Sequence, residues 1–124
     1  MKKVIATTAA PGAIGPYSQA IDTGTFVYAS GQIPINPATG EIPEGITAQT
    51  EQSLANVAAI MEAAGLTLDN VVKTTVFLAD MSHFGAMNEV YAKAFSAPYP
   101  ARSAVAVREL PKGVLVEIEV LAMR

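Results

Sequence analysis

Residues 99–124 read YPARSAVAVRELPKGVLVEIEVLAMR, and the reading of this stretch decides the fold. Two runs rich in Ala, Val, Ile and Leu flank a Pro/Gly turn signal at Pro111–Gly113, which predicts two β-strands joined as a hairpin. Strand side chains alternate with period two. In the second run Val114, Val116, Ile118, Val120 and Ala122 therefore point one way, while Leu115, Leu121 and Met123 point the other. Such a strand needs cover on both sides. Glu117 and Glu119 interrupt its second side, and Arg102 stands in the first run. A charge inside an apolar strand is costly unless it is paired, hydrogen-bonded or wetted by a cleft. With Arg108 placed near Leu115, Arg102 and Glu117 share a face without being direct neighbours, and a small ligand fits between them. A structural ion-pair network satisfies the same pattern.

Working outward, "NVVKTTVFLAD" (70–80) is a β-branched strand. Ser82 can cap a second helix whose stripe is Phe84, Met87, Tyr91 and Phe95, and Pro98 and Pro100 stop it. Asn88 lies on or beside that stripe, either as a buried amide that needs partners or at the solvated border. In the first helix Thr47 is the expected N-cap, Glu51 suits the first turn, and Gly65 ends it. Its buried face is Leu54, Val57, Ala58, Met61 and Ala64. "GQIPINPATGEIPEG" (31–45) reads as a long loop. "AIDTGTFVYASG" (20–31) reads as a hairpin turning at Asp22-Thr23-Gly24, and "KKVIAT" (2–7) as an edge strand.

The resulting order, β-β-β-α-β-α-β-β, predicts an α+β domain spanning 1–124, with two helices on one face of a mixed sheet. The other face calls for a symmetric oligomer packed sheet to sheet. The composition agrees: 51% of residues are hydrophobic and only 15% charged, against roughly 25% charged in ordinary soluble domains.

Charge and composition exclude several functions. A net charge of −3 argues against a nucleic-acid partner. Without cysteine and with one histidine, thiolate nucleophiles, zinc–sulfur sites and multi-histidine metal sites are excluded within one chain. No run approaches the roughly 20 apolar residues of a membrane helix. Lys2, Lys3 and the small apolar residues after them imitate a secretory leader, but Thr7, Thr8 and Pro11 interrupt it, so a cytoplasmic first strand is expected. Tyr17 and Ser18 precede a strand, and Ser30-Gly31 ends another, where glycine lets backbone N–H groups approach a ligand or simply turns the chain. His83, beside a helix start, reads as a surface or capping residue.

The segments "AIGPYSQA", "ASGQIPINPATGEIP", "QTEQSLANVAAIMEAAGL", "VVKTTVFLADM" and "PARSAVAVRELPKGVLVEIEV" together resemble the RidA (YjgF) family of reactive-intermediate deaminases over essentially the whole chain. The resemblance implies a chorismate-mutase-like fold, a homotrimer with clefts between subunits, no cofactor and no metal. It also implies hydrolysis of 2-imino acids, such as 2-iminobutanoate and 2-iminopropanoate, to 2-keto acids and ammonia. By the same resemblance Arg102 binds the substrate carboxylate, Glu117 positions water, and Tyr17, Ser30, Gly31 and Asn88 surround the cleft. Ala104 stands where many members have cysteine, which argues against thiol-based regulation but not against hydrolysis. "AFSAPYPARS" (94–103) is short for the family, so the cleft rim is expected to differ. Two rival functions are a non-catalytic 2-keto-acid sensor that uses Arg102 alone, and a ribonuclease or translation-inhibiting role, which the acidic balance disfavours.

Overall fold

The computed structural model describes residues 2–124. The elements follow the expected order: β1 (Lys3–Ile5), β2 (Ala20–Asp22), β3 (Phe26–Gln32), α1 (Ile46–Ala63), β4 (Val71–Leu78), α2 (Phe84–Ala94), β5 (Ala101–Ala106) and β6 (Val116–Met123). All six strands join one mixed sheet in the order β1-β2-β3-β6-β4-β5.

The expected C-terminal hairpin does not form. β5 pairs in parallel with β4, and β6 lies antiparallel between β3 and β4. The cause is the crossover through α2, which returns the chain parallel to the strand it left. β6, apolar on both sides, then takes an interior position with a neighbour along each edge. Pro111–Gly113 forms a short helical turn, with Lys112 at φ 57, inside a longer connection instead of closing a two-strand ladder.

Both helices cover one face. Val116, Ile118 and Ala122 of β6 are completely buried there, in one core with Val57, Ile60 and Met61 of α1 and Met87 of α2. The opposite face keeps Tyr28, Val105 and Met123 exposed, and their strand partners place all three on the side of Glu117.

Two helix starts differ from expectation. α1 begins after Gly45, whose φ of 88 lies in the left-handed region, and Thr47 sits exposed inside the first turn. Before α2, the Asp80 carboxylate accepts the Ser82 N–H at 2.8 Å, so Asp80 caps a helical turn over Met81–His83. A charged acceptor two residues upstream displaces Ser82 from the capping role. Gly65 ends α1 as expected, at φ 77, with Leu66 N–H donating to the Met61 carbonyl. Arg124 donates at 2.6 Å both to the Asp22 carboxylate and to the Ala64 carbonyl, fastening the β2–β3 hairpin to the end of α1. Hydrogen bonds from Arg124 and from the Gly24 N–H hold the Asp22 carboxyl below its ordinary range.

Candidate active site

The first half of the site is built on β5 and α2. Arg102 pairs with Thr74 of β4, whose side chain is buried under the helices. The Arg102 guanidinium therefore points to the helix-covered side, where Nη1 donates to Asn88 Oδ1 at 2.6 Å. Its Cζ lies 4.7 Å from the Tyr91 ring centroid and 5.5 Å from that of Phe84. Cations over aromatic faces gain about 0.5–2 kcal/mol. Tyr91 is itself fixed by a buried hydroxyl–hydroxyl bond of 2.7 Å to Thr74. The Asn88 amide thus has its partner: it is half-buried and orients the arginine.

Among the described residues no carboxylate pairs with Arg102. The one salt bridge among the described residues is Asp22–Arg124, so the ion-pair network considered for Arg102, Glu117 and Glu119 is not formed within the chain. Arg102 instead borders an open cleft of about 400 Å³ with Asn88, Tyr91, Ala92, Tyr99 and Pro100. A guanidinium carries five N–H donors in a planar fork, and four of these have no protein acceptor here. The unsatisfied fork suits a carboxylate.

The second half lies on the bare side of the sheet. Glu117 of β6 pairs with Phe77 of β4. Thr74 and Phe77 are an odd number of residues apart, so their partners Arg102 and Glu117 lie on opposite faces. The expected shared face is thereby corrected. It depended on β5 pairing with β6, and β4 stands between them.

Gly31 explains where the Glu117 carboxylate rests. A Cβ added to Gly31 would meet Glu117 Cδ at 2.9 Å and Oε2 closer still. Glycine is needed here for close approach, since Gly31 is absent from the glycines with positive φ. The β3–β6 register shifts between Ala29 and Gln32, which takes Gly31 out of the regular ladder. Ser30 flanks it, its hydroxyl donating to the Ser18 carbonyl at 2.7 Å and its N–H to the Gln19 carbonyl at 2.9 Å. These bonds fasten to β3 the loop that carries Tyr17, whose side chain is exposed.

The Glu117 carboxylate is half-buried and accepts no hydrogen bond from the described residues. Burial first, and then the like charge of Glu119, push its pKa above the ordinary glutamate value. Such a shift makes a carboxylate a better proton acceptor near neutral pH. Five of the six expected site residues thus fall into two groups, Arg102 with Asn88 on one side and Glu117 with Gly31 and Ser30 on the other, while Tyr17 lies in the loop tied to Ser30 through Ser18 and Gln19. His83 takes the N-cap position of α2, with no side-chain capping bond. The sequence reading missed the aromatic floor of Arg102, since Phe84 and Tyr91 were assigned only to the core stripe. Their signal was the placement of Asn88 between them, four residues after one and three before the other.

The family model described as Endoribonuclease L-PSP matches residues 7–124. The chain belongs to this family, which is the RidA family of the resemblance above. A 2-iminobutanoate/2-iminopropanoate deaminase of Escherichia coli is 53% identical to this RidA-family chain, covering 100% of it and 99% of the relative. The crystal structure of E. coli TdcF with bound serine superposes with a TM-score of 0.96 at 51% identity, covering 98% of each chain. RidA from an Antarctic Psychrobacter superposes with a TM-score of 0.95 at 50% identity, over 98% of this chain and 99% of that one. Among the described residues no helix is long and apolar enough to cross a membrane.

Proposed function

We propose that this RidA-family chain is a cytoplasmic hydrolytic deaminase that converts 2-imino acids, including 2-iminobutanoate and 2-iminopropanoate, to 2-keto acids and ammonia. The observation that carries the reading is an arginine fork fixed on an aromatic floor with no protein carboxylate to satisfy it. Its 53% identity to a deaminase of that name supports the substrate class.

A 2-imino acid offers a carboxylate next to an electrophilic C=N carbon. Arg102 takes the carboxylate as a bidentate pair, with Asn88 keeping the fork in plane. Glu117 orients a water and accepts its proton as the oxygen bonds to the imine carbon, giving a carbinolamine. Glu117 then passes that proton to the amine nitrogen, which leaves as ammonia as the C–N bond breaks, and the regenerated carboxylate takes the hydroxyl proton as the carbonyl forms. Tyr17, Ser30 and Gly31 line the nitrogen end. A protonated imine needs no metal or covalent nucleophile, and orientation with general-base help suffices.

Because Arg102 and Glu117 lie on opposite faces of one sheet, a working cleft needs the arginine half of one subunit against the glutamate half of another. A homotrimer with three such clefts meets this need and covers the bare face. The acidic balance weighs against RNA as substrate.

A second reading, a small-carboxylate sensor, is favoured by the completeness of the Arg102 half within one chain. The two separate in one experiment. A serine/threonine dehydratase generates the imine in situ, and ammonia release is followed with and without this protein, whose mass is measured by light scattering. Faster release by a trimer is the expected result. Binding of 2-ketobutanoate without faster release supports the sensor, and an active monomer overturns the composite cleft.

A further inference from the structure

α1 carries an unusual buried polar seam: Gln49, Thr50, Ser53 and Asn56 are all inaccessible or nearly so. Buried polar side chains are costly unless bonded, and two of these bond to segments outside their own helix. Gln49 Nε2 donates to the Pro43 carbonyl at 3.0 Å, and Gln49 Oε1 accepts the Leu115 N–H at 2.8 Å. Asn56 Nδ2 donates to the Ile33 and Ile35 carbonyls at 3.1 and 3.0 Å. Gln52 donates to Asn56 Oδ1 at 2.9 Å and fixes the direction of that amide.

The segments held this way flank the Glu117–Gly31 contact. Leu115 is two residues before Glu117, and its own carbonyl accepts the Ala79 N–H. Ile33 is two residues after Gly31, on the far side of the register shift that takes Gly31 out of the ladder. Gly31 itself is unpaired, and the ladder beside it resumes with the single pair Gln32–Ile118, so the clamps brace a contact that one β3–β6 pair holds on that side. Gln49 and Asn56 lie seven residues apart, two turns or about 10 Å along one helix face. A rigid helix thus spaces one clamp at the entry to β6 from a second clamp on the exit of β3.

We infer that Gln49 and Asn56 are positioning residues, which seat the Glu117 carboxylate over Gly31 by clamping the two backbones that carry this pair. The inference rests on the deaminase reading for its kinetic consequence, but not for its structural one. Besides Glu117, the titratable and charged groups on that face are Glu119 from β6, Lys73 from β4 and Tyr28 from β3. None of them is touched by the substitutions proposed here.

The test compares Gln49→Met and Asn56→Leu with Thr50→Val in the assembled protein, each measured below its unfolding transition. Thr50 is equally buried, but its hydroxyl donates only to Ile46 of its own helix. The readouts are kcat and KM for imine hydrolysis across pH, and the NMR titration of the Glu117 carboxyl carbon. Gln49→Met and Asn56→Leu are expected to lower kcat roughly tenfold to a hundredfold, the scale of a small misplacement. KM should stay within about threefold, because Arg102 is untouched. The Glu117 titration should move down toward an ordinary glutamate as its seat loosens, and Thr50→Val should move neither readout. Gln49→Asn, too short to span both of its partners, serves if Gln49→Met does not fold, and the same direction is expected. Wild-type kcat and titration in folded Gln49 variants overturn the inference, as do equal changes in Thr50→Val. If the wild type fails to hydrolyse imines while the titration still moves, the deaminase reading falls and the positioning role stands. Wild-type turnover with kcat and titration unmoved in the variants sinks only the positioning role.

Discussion

The arginine half of the site and the glutamate half are built on opposite principles. Arg102 is over-determined within its own chain, with an amide on one nitrogen, two rings beneath it, and one ring locked to Thr74. Glu117 has no hydrogen-bond partner among the described residues, and its place follows from close approach to a glycine on a bare face. A pre-ordered fork lowers the entropic cost of binding, so the arginine half is a finished receptor for a carboxylate. The glutamate half lies on a sheet face that the subunit leaves open. On the proposed mechanism, binding belongs to the subunit and chemistry to the assembly.

Three substitutions break or sharpen that contrast. The largest effect is expected from Glu117→Gln, which is nearly isosteric but cannot accept the water's proton. Imine hydrolysis should fall by roughly a hundredfold or more, while calorimetry finds 2-keto-acid affinity close to wild type. Hydrolysis at the wild-type rate would make Glu117 a structural residue. Next, Arg102→Lys keeps the charge and loses the fork. Affinity should drop about tenfold to a hundredfold, the worth of one charge-assisted bond. Co-refolding the two variants in equal amounts should restore about a quarter of the clefts if each cleft draws one half from each subunit. No recovery would place both halves in one chain. The smallest effect concerns pH. In the proposed mechanism the Glu117 carboxylate accepts the water's proton, so the rate is expected to fall as pH drops through a pKa that lies above the ordinary glutamate value. Glu119→Gln removes the lesser of the two causes, so the acid limb should move to lower pH with the plateau rate within about twofold. A limb that stays in place would leave burial as the whole cause.

Much of this was legible in the sequence because it depends on local periodicity. The two-sided apolar pattern of 114–123 and the alternation that sends Glu117 away from Val116 and Ile118 both survive in the structure. The β2–β3 turn and the stop at Gly65 likewise depend on a few adjacent residues. Pairing was not legible. Whether β5 lies against β6 or β4 depends on the handed crossover through α2, and no residue between 99 and 124 encodes that. The mistake over which face Arg102 occupies is the same mistake, carried one step further. The aromatic floor and the α1 clamps were hidden for a related reason: Tyr91 reaches the distant Thr74 and Arg102 side chains, Gln49 and Asn56 reach distant backbone, and along the chain they look like ordinary helix residues.

The position of β6 also shapes how the molecule comes into being. It is the last of the six strands in the chain and the only link between β1-β2-β3 and β4-β5. Without β6 the remaining strands divide into two half-sheets, β1-β2-β3 and β4-β5, each with an open edge. Unpaired edges of this kind invite pairing with other chains. The contacts that join the halves span much of the sequence, so sheet closure is a late, slow event dominated by non-local pairing. A chaperone that shields the edges of β3 and β4 until β6 docks between them should therefore raise the yield of folded protein.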